Sequence, residues 1–182
     1  MSIERDKMEH VVKQLKKVRA DAVLGKRKNY NAASRKRNYY NFTSFSQIVI
    51  NAVTGTALIT VVFGEGNKIA EIIALILTII ATILAGVQKI QDFEKQAQGN
   101  TKVADMYLEI AKTIDLTLSM ISDGLLSNED IEKRAKEHLK NIAEANKLAS
   151  QFPTNDKDFR KARDGIKNGE ESYTEEDLGI WE

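Results

Sequence analysis

The sequence predicts an all-α protein: a two-helix transmembrane hairpin carried on a cytoplasmic helical bundle, the bundle being formed by the N-terminal helix and the C-terminal helices. Three observations predict it. Two long apolar runs, almost free of charge, stand side by side in the middle of the chain. The segments on either side repeat apolar residues at three- and four-residue steps among charges, the period of amphipathic helices. Breakers are scarce, with one proline (Pro153) and ten glycines in 182 residues, too few for a turn-rich β-sandwich.

Composition removes several function classes. There are no cysteines, which excludes a disulfide scaffold, a Cys-ligated metal site and a thiol nucleophile. Two histidines, His10 and His138, leave little for histidine-based catalysis. The chain holds no P-loop, G-x-S-x-G or H-E-x-x-H motif. Gly64-Glu65-Gly66 reads as a turn, and the Glu-Asp pairs at 129–130 and 176–177 read as helix capping and tail. The expectation is a non-enzyme with no cofactor and no metal.

Taken in order, residues 1–41 form a basic cytoplasmic helix and juxtamembrane segment. Met8, Val11, Val12, Leu15, Val18 and Ala22 make an apolar stripe over 2–24, suited to packing in a bundle or to lying on an anionic leaflet. Gly25 is expected to end this helix. Residues 1–41 carry 12 Lys/Arg against 4 Asp/Glu, a net of +8, and no acid lies between Asp21 and Glu65. Arg35, Lys36, Arg37, Tyr39 and Tyr40, with Lys89 after the second run, are placed as membrane-interface anchors. This position, just before a span, argues against nucleic acid as the partner of the basic cluster.

Residues 42–98 form the hairpin. The run Phe45–Phe63, FSQIVINAVTGTALITVVF, has no charge, and Ile69–Val87, IAEIIALILTIIATILAGV, has only Glu71. Nineteen residues span about 28 Å as a helix, against about 30 Å of hydrocarbon. Five residues, 64–68, join the runs. The basic N-terminal flank keeps both chain ends cytoplasmic by the positive-inside rule. No cleavable leader is recognisable before the first span, which acts as its own insertion signal.

Residues 99–164 read as a cytoplasmic helical region. The second span is expected to run on to about Gln98, with a break at Gly99–Asn100 and a new helix capped by Thr101 and closed at Asp123–Gly124. Ser127, before Asn128, Glu129 and Asp130, is the N-cap of a helix over about 128–150. The two stripes face each other as an antiparallel pair. Residues 165–182, with a net of −5, read as a loosely ordered acidic tail that could meet the basic N-terminal region. Trp181 lies near its end.

The polar residues inside the spans are the candidate site. Glu71, Thr78, Thr82 and Lys89 share one face of the second span. Gln47, Asn51 and Thr54 form a stripe on the first, and Ala52 and Thr56, with Gly55 alongside, allow close helix approach. Two readings stay open. The polar groups hydrogen-bond between helices, or a ring of hairpins turns Glu71, Thr78 and Thr82 to a water-filled lumen, with Glu71 as an acidic ring favouring cations. One hairpin cannot enclose water, so the second reading requires a homo-oligomer.

The juxtamembrane stretch KRKNYNAASRKR, the polar-flecked first span, the short loop, Ala104-x-x-Tyr107 and the approach from Asn146–Ala149 to Phe152–Pro153 together resemble the SLATT family. These are two-transmembrane effector domains associated with SMODS nucleotidyltransferases and SLOG sensor domains in bacteria. The resemblance covers residues 5–163 and leaves out the tail. It implies an effector of bacterial conflict and anti-phage systems, assembling in the inner membrane and permeabilising it on a signal from a nucleotidyltransferase, a sensor protein or a nucleotide messenger. Non-pore alternatives are a membrane-tethered helical adaptor or a holin- or toxin-like protein.

Overall fold

A computed structural model describes residues 2–63 and 68–171. It contains α1 (Ser2–Phe63), α2 (Lys68–Gln91), α3 (Phe93–Ser122), α4 (Asn128–Ala149) and α5 (Asp156–Lys167). No strand occurs among the described residues. The chain packs as two compact units, one of residues 1–33 and 98–182 and one of 34–97. Helix α1 contributes to both, as does α3.

Two expected breaks are absent. Helix α1 runs through Gly25 and the whole basic segment without interruption. Glycine inside a helix costs about 1 kcal/mol relative to alanine, and the reason for it here is tertiary. A Cβ on Gly25 would sit 2.9 Å from the Tyr107 ring. Gly99 and Asn100 likewise lie inside α3, not at its start, and Thr101 is an interior residue rather than a cap. A Cβ on Gly99 would collide with the Phe152 ring. Asn100 is fully buried and donates to Asn29 Oδ1 at 2.9 Å and to the Phe152 carbonyl at 2.8 Å.

The real break is at Asp92, with φ of +41°, a left-handed value that Asp tolerates better than most residues. The Asp92 N–H still reaches the Gln88 carbonyl at 2.9 Å, and Asp92 Oδ1 accepts from the Lys95 N–H at 3.3 Å. Asp92 thus caps the start of α3 while ending α2.

In the bundle, Leu15, Val18, Ala22 and Val23 of α1 pack with Val103, Tyr107, Ile110, Ala111 and Ile114 of α3 and Ala145 of α4. The part of the α1 stripe from Leu15 to Ala22 is therefore packed inside the bundle, while Met8, Val11 and Val12 stay half-exposed. Arg19 pairs with Asp115 and Tyr30 donates to Asp105 at 2.6 Å, so α1 and α3 run antiparallel. Tyr107 donates to Asn146 Oδ1 at 2.5 Å and Thr117 meets His138 Nε2 at 3.0 Å, which sets α3 and α4 antiparallel as the stripes predict. Ser127 is the N-cap of α4, its Oγ accepting from the Asp130 N–H at 3.2 Å.

Helix α5 was not anticipated. Asn155 and Asp158 form a reciprocal capping box, each bond 2.9 Å, and Asp156, Asp158 and Lys167 suit the helix dipole. It carries structure into the region read as a tail. Gly165 is buried, and Gly169 takes φ of +82°. The Glu170 N–H returns to the Gly165 carbonyl and the Gly169 N–H to the Ile166 carbonyl, each at 3.1 Å. That is a Schellman reversal, which needs the left-handed residue. Residues 165–171 thus form the end of α5 and the turn that follows it; Trp181 lies outside the described residues.

Candidate functional site in the membrane hairpin

In the hairpin unit most of the large apolar residues described are exposed. Ile72, Leu75, Ile76, Ile79 and Ile83 of α2, and Ile48 and Val53 of α1, are about half or more exposed. Ala74 is the buried residue of α2. Only 6% of the most apolar 18-residue window is buried, where the core helix of a soluble protein is mostly covered. Water would penalise such a surface at about 25 cal/mol per Å²; lipid does not. The helix beginning at Lys68 is the one among the described residues long and apolar enough to cross a membrane.

The two helices are tied at the end next to the bundle segments of the sequence. Gln88 Nε2 donates to Thr43 Oγ1 at 2.8 Å and to Ser44 Oγ at 3.0 Å. The Tyr39 and Phe93 rings stand 5.7 Å apart, and the Arg35 guanidinium lies 5.9 Å from the Tyr39 ring centre. Sequence reasoning missed Gln88, Thr43 and Ser44. A glutamine just past one apolar run and two hydroxyl residues just before the other were the available signal. Of the anchors placed by sequence, Lys36 is buried, Tyr40 is half-buried, and Arg37, Tyr39 and Lys89 are exposed.

Deeper in the hairpin, Gln47, Asn51, Thr54 and Gly55 of α1 face Thr78, Ala81, Thr82 and Ala85 of α2 across an open groove of about 490 Å³. The two polar stripes read separately from the two spans are thus brought together. The small residues opposite them keep the groove open. Thr78 donates to the Ala74 carbonyl and Thr82 to the Thr78 carbonyl, each at 2.8 Å. Their protons are used within the helix, so their oxygens face the groove as acceptors. Thr54 Oγ1 is buried and has no hydrogen-bond partner among the described residues. Glu71 and Lys89 lie outside this groove lining. Glu71 is exposed in the first turn of α2, where the helix dipole favours an acid. Ala52 and Thr56 are exposed, away from the groove, and Thr56 donates to the Ala52 carbonyl at 3.0 Å.

The bundle supplies the charge chemistry. Lys26 Nζ donates to Glu171 Oε2 at 2.8 Å and Arg27 Nε to Glu171 Oε1 at 2.5 Å, and Arg27 also pairs with Glu170. Burial pushes the Glu171 carboxyl up, but the hydrogen bonds from Lys26 and Arg27 outweigh it and hold it below its ordinary value. Tyr30 is pushed up to about 12 by burial and by its bond to Asp105. His138 is held below its ordinary value, chiefly by burial. Thr117 spends its proton on the Thr113 carbonyl at 2.8 Å, so His138 Nε2 carries the hydrogen and donates to Thr117. His138 Nδ1 then has no partner among the described residues. No group of three or more His, Asp or Glu side chains able to hold a metal occurs among the described residues.

Comparison with curated proteins and with solved structures returned no match. A family model described as the SMODS and SLOG-associating 2TM effector domain family 4 matches residues 11–177. The match runs past residue 163, so α5 and the reversal after it belong to the domain. A matched length covering nearly all of the chain, on an all-helical fold with a lipid-suited hairpin, makes this protein a member of the SMODS and SLOG-associating 2TM effector domain family.

Proposed function

We propose that the protein is a membrane effector of a bacterial conflict or anti-phage system, working as a homo-oligomer of hairpins that permeabilises the inner membrane. Both chain ends stay cytoplasmic in this reading, and a nucleotidyltransferase, a sensor protein or a nucleotide messenger supplies the signal. The observation that carries it is the polar groove of Gln47, Asn51, Thr54, Thr78 and Thr82 in a hairpin whose described surface is otherwise dominated by exposed isoleucine, leucine and valine. Polar groups facing hydrocarbon are costly. Neighbouring hairpins relieve that cost by pairing with the groove or by enclosing water along it. The exposed Ala52 and Thr56 offer a close-packing face for the neighbour. Glu71 stands at the end of α2 remote from the Gln88 tie, where a ring of carboxylates would favour cations.

Dye release from liposomes tests the reading. Leakage that tracks oligomer formation and is lost in Gln47→Leu/Asn51→Leu supports it. A wild-type chain that oligomerises without leakage points instead to a membrane-tethered adaptor. In planar bilayers, Glu71→Gln should weaken and Glu71→Lys reverse cation preference; unchanged selectivity in both removes the acidic ring.

A further inference from the structure

The bundle has a second concavity, remote in sequence from the hairpin. Between α1 and α4, Val11, Leu15, Val18, Ala135 and Leu139, together with His10 and Gln14, line a largely apolar groove of about 280 Å³. Leu139 is 53% exposed, although Ile131 and Ala145 on the same stripe of α4 are buried. A leucine in mid-helix register with the core, left half in water, marks a surface shaped for a cover.

We propose that the cover is the chain's own segment 172–182, with Leu178, Ile180 and Trp181 seated in the groove. Three observations select this occupant. The first is the anchor. Glu171, the last described residue, is held on Lys26 and Arg27, and these stand on α1, the helix that walls the groove. The second is reach. From Arg27 back to Val18 is about 14 Å along the helix, and back to Val11 about 24 Å, at about 1.5 Å per residue. The seven residues from Glu171 to Leu178 extend to about 24 Å and the ten to Trp181 to about 34 Å. The third is chemistry. Segment 172–182 reads SYTEEDLGIWE, an apolar cluster directly after three acids. Exposed Lys17, one turn from Gln14, and exposed Lys136, one turn from Leu139, flank the groove. They give Glu175, Glu176 and Asp177 opposite charges to meet.

Trp181 is the only tryptophan and the chain has no cysteine, so two clean probes exist. In the full-length protein in detergent micelles, Trp181 should be shielded from acrylamide relative to a free peptide of residues 172–182. Leu139→Lys should return its quenching to that of the peptide with helical content unchanged. Quenching of the wild type equal to that of the peptide, or shielding that persists in Leu139→Lys, overturns the proposal. The pair Leu139→Cys/Ile180→Cys tests it without a charge in the groove. An intramolecular disulfide on mild oxidation is expected; no disulfide, or only a linked dimer, overturns it.

Discussion

Two isoleucines show how differently the two units are built. Ile114, on α3 in the bundle, is 0% exposed, and Ile79, on α2 in the hairpin, is 53% exposed. Both sit in the interior of long helices. Around Ile114 the apolar stripe is narrow and faces partner helices, so its stability comes from area withdrawn from water. Around Ile79 apolar residues continue on nearly every side, and among the described residues Ile72, Ile76, Ile80 and Ile83 are left exposed. The lesson concerns solvent: a helix designed for water hides its isoleucines, and one designed for lipid turns them outward.

The largest expected effect exploits that contrast. Ile114→Ala should destabilise the bundle by about 2–5 kcal/mol, as large-to-small changes in packed cores do. Ile79→Ala should stay within about 0.5 kcal/mol, as for a surface site. Thermal unfolding of both variants in one detergent checks the pair; equal losses would erase the distinction between the units.

Next come the glycines. Gly99→Ala places a methyl group on the Phe152 ring and should cost about 1–3 kcal/mol by overpacking. Gly86→Ala, in the hairpin with nothing within 4 Å of its Cβ position, should gain up to about 1 kcal/mol in helix propensity. Opposite signs in the two melting temperatures are expected, and a shared sign would mean that the close approach in the bundle is not limiting.

The pH dependence is a smaller effect and belongs to the bundle alone. His138 has a native pKa below the ordinary 6.5. Above that value the ring is neutral in both states and contributes nothing. As pH falls through about 6.5 the unfolded chain takes up a proton that the native site refuses, so stability declines. Glu171 acts lower down. Its carboxyl is depressed in the native state, so its contribution is complete above the ordinary carboxylate range and is lost as pH falls through the native value. A titration of unfolding free energy should show a first decline below about 6.5 that His138→Gln flattens, and a later one that Glu171→Gln flattens. A profile identical in His138→Gln and wild type contradicts the first assignment.

The smallest expected effect is at the hairpin tie. Gln88→Leu removes its bonds to Thr43 and Ser44 and should cost about 0.6 kcal/mol, the average for such bonds in membranes. A loss several times larger would mean that this tie, rather than lipid, holds the two spans together.

The sequence was legible wherever cause and residue are neighbours. The α1 stripe, the N-cap Ser127 and the second span all announce themselves locally, and so do the stripes Gln47–Asn51–Thr54 and Thr78–Thr82, though their meeting across a groove needed the fold. Legibility failed where the cause is distant in the chain. Gly25 and Gly99 look like breakers and are clearances for Tyr107 and Phe152. The break at Asp92 hides because an aspartate in a charged stretch carries no mark of positive φ. Helix α5 was overlooked because its apolar side is only Phe159, Ala162 and Ile166, although the Asn155–Asp158 box was readable. Glu170 and Glu171 counted as tail charge until the reversal at Gly169 set them against Lys26 and Arg27.

Collision of spin labels with oxygen and with a water-soluble nickel chelate tests the central claim most directly. In the cysteine-free chain, single labels at Ile79→Cys and at Lys112→Cys are compared in liposomes. The account predicts that the label at 79 collides mainly with oxygen, which concentrates in hydrocarbon, and that the label at 112 collides mainly with the nickel chelate. A label at 79 as open to nickel as the one at 112 would place α2 in water and contradict the membrane hairpin.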